Sequence, residues 1–431
     1  MYTSYIGKKF LAYYNRCEKK NFTAAAFFED KFFKIFFKDE GHLMHVANSP
    51  FHYAPEKGAA ASHGSKSKAQ LVTLKERIQE HRVYMGTYVG GPAEDMDATT
   101  SGQLTGMSNN IDKEDMYASW IGAALGIGVK GGYVILIDDE EVLWLLYKGW
   151  EHYRSYLEQR DGLKNKQIET WNGNWLCHGP EFLKTRRRLP FEPEKVMGKW
   201  SIPTQPWAQI TFELAKRFHH LDSLMMYAYN LSQTNTTLGF IALVPSEVNR
   251  LFEWREEIFF GEDTLLKASQ IEKLETYYDF RAACKLGVIG LKALEPKALR
   301  MYMPKPFGGG KEFVYSKDTA FYFYTFKIWL IAMLNKDELL TLADEVAAAL
   351  IEFGRSDKKG RTIKVQLSKE IRESRGLTQF VDKLTELLDD VPAVRDTLRK
   401  VVEKAIIMPS DHFPLFLSLI RFQFSYRSSE N

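Results

Sequence analysis

Between Tyr117 and His178 the chain reads Y-A-S-W-I-G-A-A-L-G-I-G-V-K-G-G-Y-V-I-L-I-D, then a helical segment ending L-Y-K-G-W-E-H-Y-R, then Q-I-E-T-W-N-G-N-W-L-C-H. This stretch constrains the fold more than any other. Glycine belongs where backbone passes close to a partner, and Trp and Asn bring flat rings and amides that must be packed or hydrogen-bonded. Tyr133 to Ile137 is a five-residue apolar run bounded by Gly-Gly and Asp-Asp, the pattern of a buried strand, and Glu140 to Gln159 then reads as a helix. Phe240 to Val244, stopped by Pro245, reads as another buried strand. The stretch has no complete catalytic signature, which points to a recognition surface more than to a reaction centre.

Elsewhere the pattern is helical. Phe27, Phe28, Phe32, Phe33, Phe36 and Phe37 recur at helical spacing behind a candidate cap at Asn21 to Thr23, giving one very large apolar face. Core packing is its default explanation and a subunit contact the sharper one. Ala54 to Lys68 has linker composition, a helix is expected over Ala69 to Arg82, and Gly86 to Asn110 is a long polar stretch. Beyond Pro304 to Gly310, the segments 319–334, 337–353, 377–389, 392–407 and 411–424 all carry helical periodicity. The fold class is therefore α+β: an irregular mixed α/β recognition domain over 1–310, followed by a C-terminal helical bundle over 311–431.

A chain of 431 residues with 45% hydrophobic and 26% charged residues has ample material for ordered cores. Its net charge of +3 leaves nucleic-acid binding to local clusters, not to bulk charge. Cys17, Cys177 and Cys284 lie too far apart for a CxxC unit, which argues against a disulfide framework or structural zinc and fits a reducing cytoplasm. The N-terminus lacks a signal-peptide core. The apolar run Phe321 to Leu334 is broken by Lys327 and falls short of the ~20 residues of a membrane span. No membrane partner and no cofactor are expected.

Catalytic motifs fail on inspection. Gly126, Gly128 and Gly131 satisfy G-x-G-x-x-G but precede a strand instead of following one, so they read better as the turn between a helix and that strand. His42 and His45 lack the H-E-x-x-H arrangement, and Cys177 beside His178 offers no second ligand pair, so no metal site is expected. Asp138 and Asp139 at a strand end suit a metal-dependent nuclease, yet four acids after a strand more often open a helix. Three basic clusters tilt toward a polyanion: Lys184 with Arg186, Arg187 and Arg188; Lys358, Lys359 and Arg361; and Lys364 to Arg375. In W-N-G-N-W, Asn172 and Asn174 offer donors and acceptors that either read base edges or satisfy the backbone of a buried turn.

The blocks S-G-Q (101–103), S-W-I-G-A-A-L-G-I-G-V (119–129), K-G-W-E-H-Y-R (148–154) and Q-I-E-T-W-N-G-N-W-L (167–176) resemble a CRISPR-associated family. It is the Cas-eight-like large subunit of type I Cascade effectors, in its Csx-eight-like branch. Y-I-G-K-K-F near the start and N-S-P-F (48–51) fit the same resemblance. The resemblance implies a non-enzymatic subunit of a crRNA-guided complex, with other Cascade subunits, crRNA, target double-stranded DNA and a recruited helicase-nuclease as partners. Such a subunit probes DNA for a short flanking motif, helps open the duplex and holds the displaced strand. On that footing Gln103, Asn172 and Asn174 are candidate base readers, and Lys184, Arg186, Arg187 and Arg188 candidate phosphate contacts. Lys358, Lys359 and Arg361 would meet the displaced strand or a neighbouring subunit. The alternatives are a metal-dependent nuclease or other defence enzyme using Asp138 and Asp139, and a scaffold that docks proteins through the aromatic helix at 22–37.

Overall fold

In a computed structural model that describes residues 2–38, 41–56, 58–80, 86–90, 111–185, 189, 191–230, 236–259, 284, 287–355, 361–388 and 395–430, two helices meet backbone to backbone. These are α1 (Tyr2–Glu18) and α6 (Lys113–Ala123). A Cβ on Gly7 would overlap the carbonyl oxygen of Ala118, and one on Gly122 would overlap that of Thr3. Only glycine permits this approach, so the two motif words Y-I-G-K and S-W-I-G record one helix crossing. Asp112 caps α6 by accepting from the amide of Asp115, and Lys8 pairs with Asp115 at 2.7 Å alongside.

Between these helices in sequence lie α2 (Ala24–Phe27), a π-helical turn (Phe28–Phe32), α3 (Phe33–Phe36), α4 (Ala59–Ser62) and α5 (Lys66–Gln79). Thr23 caps α2 by accepting from the amide of Ala26. The phenylalanine face is core: Phe27, Phe28, Phe32, Phe36 and Phe37 are buried against Phe10, Trp120 and Trp150. The large apolar face is thus enclosed inside this unit, where five such rings each contribute on the order of 2 kcal/mol of burial. Part of the segment read as a linker is helical in α4 and the start of α5.

After α6 the chain enters β1 (Ile127–Val129) and β2 (Tyr133–Ile137), joined through Gly131 and Gly132 at positive φ. α7 (Glu140–Tyr147) and α8 (Trp150–Glu158) follow, so the expected single helix breaks at Gly149. Then come α9 (Ile168–Thr185), the hairpin β3 (Glu194–Val196) and β4 (Lys199–Ser201), α10 (Trp207–Arg217), β5 (Leu224–Asn230) and β6 (Thr236–Leu243). The strands run in the order β1-β2-β5-β6 with antiparallel neighbours. On one face Ile135, Ile137, Met226, Ala228, Ile241 and Leu243 are buried; on the other, Val134 and Leu136 are buried while Tyr227 and Phe240, paired across strands, remain accessible.

The chain separates into two compact units, Met1–Val244 and Pro245–Asn431, so the division falls well before Pro304 to Gly310. The second unit begins at Pro245, and described parts of the stretch ahead of 311 are fastened to the later helices. Among them α11 (Pro245–Phe259) and α12 (Leu299–Tyr302) precede the six helices α13 (Ala320–Leu334), α14 (Glu338–Arg355), α15 (Arg361–Arg372), α16 (Leu377–Leu387), α17 (Arg395–Ile406) and α18 (Phe413–Glu430). The Trp329 indole of α13 donates to Leu291 O at 2.7 Å, and Arg421 of α18 donates to Lys311 O at 2.9 Å. The α+β class and the C-terminal helical region are as the sequence implies. No described helix is long and apolar enough to cross a membrane.

Gly122→Ala is expected to cost about 3 kcal/mol or more, because its methyl must displace a helix backbone. A denaturant midpoint equal to that of the parent would show that the two helices do not touch as described.

Candidate nucleic-acid interface

The expected base readers are part of the interior. W-N-G-N-W is not a turn but the second turn of α9, and Asn172 and Asn174 are both fully buried. The Asn172 amide donates to the carbonyls of Ala124 and Gly126, each at 2.8 Å, closing the glycine turn between α6 and β1. Asn174 donates to Thr170 O and Pro203 O and accepts from Gln205 Nε2 at 2.7 Å. Both side chains are enclosed and donate to the protein's own backbone, so the base-reading assignment of these two residues is corrected to a structural one. The flanking indoles behave alike: Trp171 donates to Gly149 O and Trp175 to Leu145 O, both at 2.9 Å. Trp175 also packs flush over Gly149, where any Cβ would strike its ring.

The phosphate candidates divide differently. Lys184 is exposed in the last turn of α9, and Arg361 is exposed at the start of α15 in the other unit. Gln103, Arg186, Arg187, Arg188, Lys358 and Lys359 lie outside the described residues. Of the third cluster, Arg372 is engaged, donating to Glu312 at 3.0 Å with its guanidinium 3.8 Å from the Phe424 ring centre.

Beyond Lys184 the chain forms an element that sequence reasoning missed. The hairpin β3–β4 turns through Met197 (φ 48) and Gly198 (φ 80), with Glu194 opposite Ser201 and Lys195 opposite Trp200. Its root is held by the Lys164 amide donating to Trp200 O at 2.8 Å and by a bridge between Leu163 and Trp200. The tip projects: Met197 is 99% exposed and Trp200 45%. Lys164, Lys195 and Lys199 are exposed around it and form no ion pair with any described residue; Lys195 lies over the Trp200 ring at 5.6 Å. A signal existed in E-K-V-M-G-K-W-S, where two short alternating runs flank X-Gly. The X is Met instead of the usual Asn or Asp, which hid it.

The nuclease acids are occupied. Asp138 accepts from the Tyr5 hydroxyl at 3.0 Å and from the Lys9 ammonium, and its bond to Tyr5 holds that phenol above its ordinary range. Asp139 caps α7 by accepting from the amides of Glu141 and Val142, each at 3.0 Å, and Glu140 pairs with Arg16. His42 is buried against Phe37 and Phe51, and neither it nor His45 lies in a helix. Cys177 is buried; burial, then the nearby Arg217, hold His178 below its ordinary value. Among the described residues no three His, Cys, Asp or Glu side chains are placed to hold a metal ion.

One acid stands apart. Glu169, in the first turn of α9, packs against Gly126 and Gly128. Burial pushes its carboxyl up to about 7, although the residue as a whole is only half-buried. Burial and then this neighbouring charge raise the phenol of Tyr229 on β5. No sequence pattern marked either group.

Comparison with family models, curated proteins and solved structures gives no match to this chain.

Because the folded state holds the Glu169 proton more tightly than the unfolded state, its contribution works against the fold as pH rises from about 4.5 to about 7 and is flat above. Glu169→Gln is therefore expected to be the more stable protein at pH 8, by on the order of 1–3 kcal/mol, with little difference at pH 4. Thermal melts across that range check it. A gap between the two proteins that does not vary with pH would show that the carboxyl is well solvated.

Proposed function

We propose that this chain is a non-catalytic large subunit of a crRNA-guided type I CRISPR surveillance complex. In that role it recognises the motif flanking a DNA target, helps open the duplex and holds the displaced strand. Its partners are other Cascade subunits, crRNA, target double-stranded DNA and the helicase-nuclease that the complex recruits.

The observation that carries this reading is how charge is used. Acids that would serve a nuclease are engaged with the protein's own groups, Asp138 with Lys9 and Tyr5, Asp139 with the amides of α7. Lysines around the hairpin and at the end of α9 are exposed and carry no carboxylate partner among the described residues. Lys8, Lys9, Arg16, Lys34 and Lys38, on the helical side of the same unit, all form ion pairs. Unpaired cations beside exposed apolar side chains favour binding a polyanion over cutting one.

Affinity purification of the tagged protein from its native host, followed by nucleic-acid extraction, is expected to recover further proteins and an RNA of uniform length. A lone, RNA-free chain would remove the proposal. In the recovered complex, alanine at Lys184, Arg186, Arg187 and Arg188 together is expected to weaken DNA capture. It should also flatten the log–log salt slope by about 0.9 for each phosphate no longer neutralised. An unaltered slope would take this cluster out of the interface.

A further inference from the structure

Glu169 is an acid without a counter-charge. Its carboxyl meets its own backbone amide and has no ion-pair or other side-chain partner among the described residues. The comparable acids of the first unit are all paired: Asp115 with Lys8, Asp138 with Lys9 and Glu213 with Arg217. The titratable groups facing Glu169 are the phenols of Tyr229 on β5 and Tyr153 on α8, each raised first by burial and then by this carboxyl's charge. A half-buried carboxylate left in that state gains from any cation that can reach it.

Strand register shows what stands beside it. Val134 lies opposite Tyr229 and Leu136 opposite Tyr227, so both tyrosines share one face of the sheet. A Cβ on Gly126 would lie 2.6 Å from Val134 Cγ1 and 3.8 Å from Glu169 Cγ, which puts the Glu169 stem on that face too. From Tyr229 a row of rings runs outward: Tyr227 at 5.9 Å, then Phe240 at 5.2 Å, Tyr2 at 5.0 Å and Tyr5 at 5.7 Å, each measured from the ring before. Phe240 is 59% exposed and Tyr5 48%, so the row opens to solvent at its far end. Lys9, which borders it, is engaged by Asp138. The face therefore offers aromatic surface and one uncompensated negative charge. A guanidinium matches it: flat and weakly hydrated, it stacks on a phenol ring while donating to carboxylate and phenol oxygens. The rings continue beyond the reach of one such group, which suits a side chain carried on a polypeptide better than a small free cation.

We propose that this face receives an arginine side chain of a protein partner, its guanidinium against Glu169 and Tyr229, its stem along Tyr227 and the partner's backbone against Phe240. The assignment goes beyond the proposed function and does not depend on it.

The probe is acetyl-arginine amide, titrated into the full-length protein and read by saturation-transfer NMR, with acetyl-citrulline amide as its neutral isostere. The arginine probe is expected to bind and the citrulline probe not to. Binding should be about tenfold weaker at pH 6 than at pH 8, because only the ionised carboxyl attracts the probe and burial has pushed its titration up to about 7. Glu169→Gln, which stays folded at pH 8, should bind about tenfold more weakly there and lose the pH dependence. Tyr229→Phe, which keeps the ring and loses the oxygen, should lose about threefold. Equal binding of the arginine probe to parent and Glu169→Gln, or of both probes to the parent, overturns the site. The source of the arginine is read separately, with p-benzoylphenylalanine in place of Phe240 and irradiation in the native host. An adduct beside an arginine of another protein, lost when Glu169→Gln is added, is expected. Adducts confined to this chain, or none, overturn the protein partner. None of these outcomes touches the guided-complex reading, which is tested by its RNA.

Discussion

Two hydrogen bonds from one amide govern the arrangement of the first unit. Asn172, buried in α9, donates to the carbonyls of Ala124 and Gly126 at the point where α6 ends and β1 begins. Carbonyls at a helix end have no partner within the helix, and enclosing them unpaired would cost about 1–3 kcal/mol each. The amide meets that demand and sets the height of α9 over β1. Gly173 then lies beside Gly128 O, Gly128 beneath Glu169, and Gly149 beneath Trp175. Through these approaches and the indole bonds to Leu145 O and Gly149 O, α9 is tied to β1 and to the junction of α7 and α8.

The second unit meets the same problem with charge. Arg427 and Gln423 of α18 converge on Asp344 of α14, and Arg421 donates to the carbonyls of Gly310 and Lys311. Burial pulls the Arg421 guanidinium below its ordinary value, while one of its nitrogens, Nη2, donates to both carbonyls. A loop that would otherwise be independent of the helices is fastened to their last member. The Pro- and Gly-rich stretch before 311 is thereby a strap within the second unit instead of a linker ahead of it.

Much of the fold was legible because its signals are local. The strand over Tyr133–Ile137, the aromatic helix behind Thr23 and the periodic helices after 319 need only neighbouring residues to be read. The site was less legible. Asn172 and Asn174 have the chemistry of base readers, and only the location of Ala124, Gly126 and Pro203 in space reveals that the backbone already uses them. Gly7 and Gly122 look like unrelated motif letters 115 positions apart until their helices cross. Met197 escaped notice for the opposite reason: a residue in an unfavoured conformation breaks the pattern by which hairpins are found, and such departures concentrate at working surfaces.

The π-helical turn at Phe28–Phe32 has a consequence for chain length. Its backbone closes with the Phe33 amide donating to Phe28 O, one residue wider than an α-turn. The wider loop holds a surplus residue while Phe28 still stacks with Phe32, and Phe32 with Phe36 at 4.1 Å. Deleting a residue elsewhere in an α-helix swings everything beyond it by about 100°. At this turn the same deletion relaxes π to α and leaves both flanking faces aimed as before. Insertions and deletions between relatives of this chain would therefore accumulate at Phe28–Phe32 with the aromatic core intact, making the turn a counting device that separates the length of the helix from its phase.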